Sequence, residues 1–153
     1  MVYINSVALV MPTYSMSTFK LPLLSCRELD VVVRRFWWNG STEPKKFWAA
    51  IPWNALCQPK QMGGLGYRHF EDINHALLSK LAWQLASKVD RPWCNVFKGK
   101  YFPRDSFWSI QEKNTESFIW RGILSARNTI TVRACTIIAF GEDVDVWWQP
   151  WIP

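Results

Sequence analysis

Apolar positions along the chain recur mostly at helical spacing. Residues 2 to about 18 predict a helix interrupted near Pro12, and Leu21-Pro22 opens a second one. There Leu29, Val32, Val33, Phe36 and Trp37 fall at i, i+3, i+4, i+7 and i+8, one inward face, and Asn39-Gly40 supplies the stop. A polar, basic loop from Ser41 to Trp48 precedes a short turn of helix at Pro52 to Cys57, and Gly63-Gly64-Leu65-Gly66 predicts a tight turn. The strongest pattern runs from Glu71 to Val89. Ile73, Leu77, Leu81 and Leu85 repeat every fourth residue, Leu78, Ala82 and Val89 widen the stripe, and Glu71, Asp72 and Lys88 match the helix dipole.

After Arg91-Pro92 a short helix is expected from Trp93 towards Lys100, and Tyr101-Phe102-Pro103 ends it. Phe107 to Lys113 is ambiguous. Thr115 or Ser117 caps a helix through about Arg127 with Ile119, Ile123 and Leu124 inward. From Thr136 to Trp148 the pattern changes to two short β-prone runs around Gly141-Glu142-Asp143, a hairpin signal. The expected fold is mainly α, a helical bundle over residues 1–130, with a short C-terminal β-hairpin tail over residues 131–153.

Composition sharpens this picture. The chain has 153 residues, 49% hydrophobic and 20% charged, which suits a globular core rather than a disordered polyelectrolyte. Eleven Trp, 9 Phe and 4 Tyr are more rings than a chain this short readily hides. Two readings follow: a Trp-rich core, or an exposed Trp-rich surface that meets a protein partner or a second copy. The net charge of +6 favours anionic partners, and most Lys and Arg lie before Ser106.

Catalytic chemistry is not expected. Glu71-Asp72 opens a helix, where acidic residues are ordinary, and Glu142, Asp143 and Asp145 sit at a hairpin tip; neither group suggests a metal site. Cys26, Cys57, Cys94 and Cys135 are widely spaced and read as reduced thiols, and His69 and His75 have no partner at metal-ligand spacing. The glycine run lacks the Lys-Ser/Thr of a phosphate loop, and no cofactor is implied. The first 20 residues carry no basic signal region and meet Pro12 too early for a membrane span. They read as a core helix continuing from something upstream in a protein that is neither secreted nor membrane-bound.

Two groups interleave cations with aromatics as sequence-independent nucleic-acid binders do. One is Lys98, Lys100, Tyr101, Phe102 and Arg104; the other is Arg34, Arg35, Trp37, Trp38, Lys45 and Lys46. The competing reading of each is a solvated basic face with its rings tucked into the core.

Ordered motifs carry a family likeness. Met11-Pro12-Thr13-Tyr14-Ser15-Met16 with Phe19-Lys20-Leu21-Pro22 resembles the "IPTYAMSCFKLP" segment of plant LINE-type (non-LTR) reverse transcriptases. Phe36-Trp37-Trp38, Ile51-Pro52-Trp53, Leu56-Cys57, Pro59-Lys60, Gly63 to Arg68, Asn74 to Lys80, Trp83, Lys100 to Pro103, Ile119-Trp120-Arg121 and Val146 to Pro153 continue it in order. The resemblance implies the thumb and connecting segment that follows the polymerase palm and precedes a zinc-binding or RNase H-like region. It also implies RNA or RNA–DNA hybrid as partner, and a nuclear or mitochondrial setting, where short open reading frames of this type occur. The Tyr-x-Asp-Asp metal site and the RNase H carboxylates of such enzymes have no counterpart in the sequence. Ala134-Cys135-Thr136 and Ala139-Phe140-Gly141-Glu142 depart from the pattern. The expected function is a non-catalytic fragment of a retroelement reverse transcriptase with sequence-independent nucleic-acid binding; the alternatives are an interaction module and a decayed frame without a selected role.

Overall fold

The computed structural model describes residues 10, 12–43, 48–113, 115–135, 147 and 150. Among them every regular element is helical and none is a strand. Seven α-helices follow in order: α1 Thr13–Met16, α2 Leu23–Asn39, α3 Trp53–Cys57, α4 Phe70–Ala86, α5 Pro92–Tyr101, α6 Phe118–Ser125 and α7 Arg127–Thr131. The residues expected to form the C-terminal hairpin, 136–146 and Trp148, lie outside those described. The backbone divides into two compact units, Met1–His75 and Ala76–Pro153, and the division falls within α4.

In the first unit Gly40 ends α2 in the left-handed conformation, its N–H bonded to the Phe36 carbonyl, so the Asn39-Gly40 stop works as a C-cap. The inward face of α2 follows the expected one except at Val32. Cys26 and Val33 are buried and Leu29, Phe36 and Trp37 half-buried, whereas Val32 is 39% exposed beside Val31. With Leu24, 69% exposed, these valines make a second apolar stripe on solvent. The helix is apolar on more than one side, so periodicity alone does not choose its core face.

Tyr67 joins the aromatic core by stacking on Trp53 at 5.4 Å and receiving the edge of Trp37 at 5.5 Å. Burial pushes its phenol pKa up, and neither its hydroxyl nor the buried Trp53 indole N–H finds an acceptor. The glycine turn has a packing cause. A Cβ on Gly64 would overlap the backbone carbonyl of Gln58, while Leu65 and Gly66 donate to the Leu56 and Gln58 carbonyls at 2.9 Å each.

On α4 the buried row is Phe70, Asn74, Leu78, Ala82 and Leu85; Leu78, Ala82 and Leu85 belong to the expected stripe, whose Ile73, Leu77 and Leu81 lie half-buried at its flank. Asn74 decides this. It is 3% exposed, and its side chain accepts from Leu21 N at 2.9 Å and donates to the Met16 and Phe19 carbonyls at 2.7 Å each. A buried amide with three backbone partners fixes the segment after α1 against α4. Two of the sequence motifs, Phe19 to Pro22 and Asn74 to Lys80, are therefore tied by one side chain.

Asp30 on α2 does comparable work at the start of α4. One carboxylate oxygen accepts from Phe70 N at 3.2 Å and the other faces His69 Nδ1 at 2.8 Å, so the helix receives its N-terminal cap from a residue distant in sequence.

The second unit packs around Trp120, which is fully buried. Tyr101 stacks on it at 4.5 Å and 3°, Phe102 at 5.7 Å, and Phe97 and Phe107 close the ring at 6.0 and 6.2 Å. Ser117 caps α6 by accepting from Trp120 N at 3.3 Å, which selects it over Thr115 as the start of that helix.

Candidate nucleic-acid interface

The first predicted group sits on the last turn of α5 and the turn beyond it. Pro92 at the first helical position starts α5, and Lys98 and Lys100 in its final turn complement the negative end of the helix dipole. Lys98, Lys100 and Arg104 are all exposed. Lys100 Nζ lies 5.2 Å from the Tyr101 ring centroid, a cation–π contact that orients it. Tyr101 is half-buried: one face is taken by Trp120 and its hydroxyl pairs with Ser117 Oγ at 2.6 Å.

Phe102 corrects the sequence reading. It is 4% exposed and packed against Phe107 and Trp120, so it is a core ring rather than an exposed stacking platform. The helix ends between Tyr101 and Phe102, which turns the second ring inward and leaves the cations outside.

Lys98 and Arg104 line one cleft of about 420 Å³, and Lys88 joins them from the segment after α4. Leu85, Cys94, Phe102 and Phe107 contribute apolar lining, with Asn95, Ser106 and Trp108 among the more polar or exposed members. Asp105 is the carboxylate in that lining, set against three cations. Arg104 also borders a neighbouring hollow of about 490 Å³ with Tyr101, Lys113 and Glu116. Sequence reasoning assigned Lys88 only to the helix end. Its charge there was visible; that the chain folds it beside Lys98 was not.

The second predicted group is described only in part. Arg34, Arg35 and Trp38 are half-buried on α2, and Arg35 is committed to the Thr42 carbonyl at 3.1 Å. The Trp38 indole N–H is enclosed without an acceptor. Lys45 and Lys46 lie outside the described residues.

Among the described residues no three His, Cys, Asp or Glu side chains stand together as a metal-binding group, and no helix is long and apolar enough to cross a membrane. Burial raises the pKa of Cys26, Cys57 and Cys94, Cys57 to about 11 with help from Asp30 and Asp72. A nucleophilic cysteine needs the opposite shift.

No family model and no solved structure matches the chain. Two curated proteins of Arabidopsis thaliana do. A putative ribonuclease H protein is 36% identical over 146 residues; the match takes in 93% of this chain but only 23% of that protein's length. An uncharacterized mitochondrial protein is 30% identical over 145 residues, spanning 94% of each chain. With that identity sustained end to end, the chain belongs to the family of the Arabidopsis mitochondrial protein, and it is also similar to a segment of the longer ribonuclease H-named protein.

Proposed function

We infer that this chain is a non-catalytic segment of a LINE-type retroelement reverse transcriptase, derived from the part that follows the palm, and that it grips nucleic acid without reading its sequence. The observation that carries the binding half is the convergence of Lys98 and Arg104 with Lys88 on one cleft, beside Lys100. Phosphate neutralisation by such a cluster gives affinity independent of base sequence. The retroelement half rests on the ordered motifs and on the longer relative, of which the chain represents 23%. Ribonuclease H is by definition an activity on RNA–DNA hybrid, and a segment of a protein so named would work beside that duplex. The mitochondrial relative supports a mitochondrial setting over a nuclear one.

Binding of the purified chain to labelled RNA–DNA hybrid and to single-stranded RNA, followed across a salt series, tests this. Affinity that falls steeply as salt rises supports the reading, and absence of binding by the folded chain overturns it.

A second reading has its own observation. Leu24, Val31 and Val32 leave an apolar stripe of α2 on solvent, and Trp48 is also exposed. Such a surface suits a protein partner or a second copy. Salt separates the two, because apolar association does not weaken as salt rises.

A further inference from the structure

We propose that the cleft bounded by Lys88, Lys98 and Arg104 seats one unstacked nucleotide of a single strand, with Lys88 as one of its phosphate ligands; this rests on the nucleic-acid reading above and specifies the form of nucleic acid. The lining has two characters. Buried Leu85, Cys94, Phe102 and Phe107 give it an apolar backing with little open surface, and the three exposed cations with the half-buried Trp108 supply its open, mainly polar lining. A ligand that matches both has a flat, weakly polar face and an adjacent anion. A nucleotide whose base has left the stack has these features, whereas a duplex keeps its base faces covered. The volume, about 420 Å³, lies within the range of small-ligand clefts.

The wall that presents Trp108 is held before any ligand arrives. Arg127 donates from its guanidinium to the carbonyls of Phe107 and Ile110, and Ser109 Oγ donates to the Ser106 carbonyl at 3.0 Å. Phe102 and Phe107 anchor the same stretch on Trp120. A preformed wall loses little entropy on binding.

Lys88 supplies an independent observation. It stands just after α4 with φ 51, in the left-handed region that glycine favours. Val89 N bonds to the Gln84 carbonyl at 3.2 Å and Lys88 N to the Leu85 carbonyl at 3.3 Å, the paired bonds of a Schellman ending. Glycine would satisfy that ending without strain. A lysine in its place keeps a strained backbone and gains a cation on the rim of the cleft, and strain retained at a site points to a use for the side chain.

The test compares a short oligouridine RNA with the same RNA annealed to its DNA complement, using the full chain and the Lys88→Gly and Trp108→Ala variants at fixed salt. The expected result is tighter binding of the single strand. Trp108→Ala should weaken it about tenfold and leave the hybrid nearly unchanged, in keeping with the worth of one base–aromatic stack. Lys88→Gly should raise the Tm while weakening single-strand binding roughly three-fold or more. Equal affinity for both ligands, with both variants binding like the wild type, overturns the cleft proposal and leaves the nucleic-acid reading standing. No binding to either ligand overturns both. A Lys88→Gly chain that binds normally, or that melts lower than wild type, removes Lys88 from the site.

Discussion

Replacing Asn74 by alanine isolates the contact that ties the segment after α1 to α4. The change strands the Leu21 N–H and the Met16 and Phe19 carbonyls, which Asn74 meets at 2.9, 2.7 and 2.7 Å. The bond to Met16 is buried and the other two are partly buried. An unsatisfied buried backbone group costs about 1–3 kcal/mol, and water recovers part of that at the two more open sites, so the expected loss is about 3 kcal/mol. That is a large share of the stability of a domain this size. Urea denaturation gives the total, and amide exchange at Leu21 reads the local effect; an opening made easier by about 3 kcal/mol speeds exchange by roughly a hundred-fold. Asn74→Asp sharpens the comparison, since it keeps an acceptor for Leu21 but turns a carboxylate towards two carbonyl oxygens. It should cost at least as much as alanine at neutral pH. A loss below about 1 kcal/mol for Asn74→Ala, with Leu21 still protected, would refute the reasoning.

Three other perturbations probe separate parts of the account. Gly64→Ala should destabilise the chain by at least about 2 kcal/mol in urea denaturation, because its Cβ would overlap the Gln58 backbone and only main-chain movement relieves it. Trp120→Ala, which empties the centre of the second unit's aromatic cluster, should cost about 3–5 kcal/mol, read as a fall in Tm and loss of the near-ultraviolet aromatic signal. Cys57, its pKa raised to about 11, should be only roughly one part in a thousand thiolate at pH 8, so iodoacetamide should modify it far more slowly than the exposed Cys135 until the pH nears 11. The sign for stability follows from the same shift: the protonated thiol contributes below its unfolded pKa near 9, and that contribution is lost as pH rises through about 11.

Much of the helical framework was legible because local chemistry sets it. Gly40 after α2, Pro92 at the start of α5 and Ser117 before α6 act through their own backbone neighbours, and the sequence displays such signals directly. Faces were less legible. Leu78, Ala82 and Leu85 of the expected α4 stripe are buried, but the stripe did not include Asn74, a polar residue whose burial depends on three backbone partners that only the folded chain brings near. On α2, Val32 and Val33 are neighbours of equal hydrophobicity, and packing buries one and exposes the other.

The candidate site was half legible for the same reason. Alternating cations and rings marked Lys98 to Arg104, but the pattern does not say which way a ring turns once the helix stops, and Phe102 went to the core. Lys88 lies ten residues before Lys98 in sequence and reaches the same cleft only through the turn between α4 and α5. The apolar alternative was visible too. An excess of aromatic residues forecast some exposed rings, and Trp48 and Tyr14 are exposed in the first unit, where the aliphatic stripe of Leu24, Val31 and Val32 was not foreseen.

The central claim is that exposed cations around α5 hold phosphate. The direct measurement is the salt slope of binding to single-stranded RNA, wild type against the Lys98→Ala/Lys100→Ala/Arg104→Ala variant. Three phosphate contacts on a single strand are worth a slope of about −2 in log affinity against log salt, so the variant should bind more weakly and with a slope shallower by about 2. A variant with the same affinity and the same slope as wild type would contradict the account.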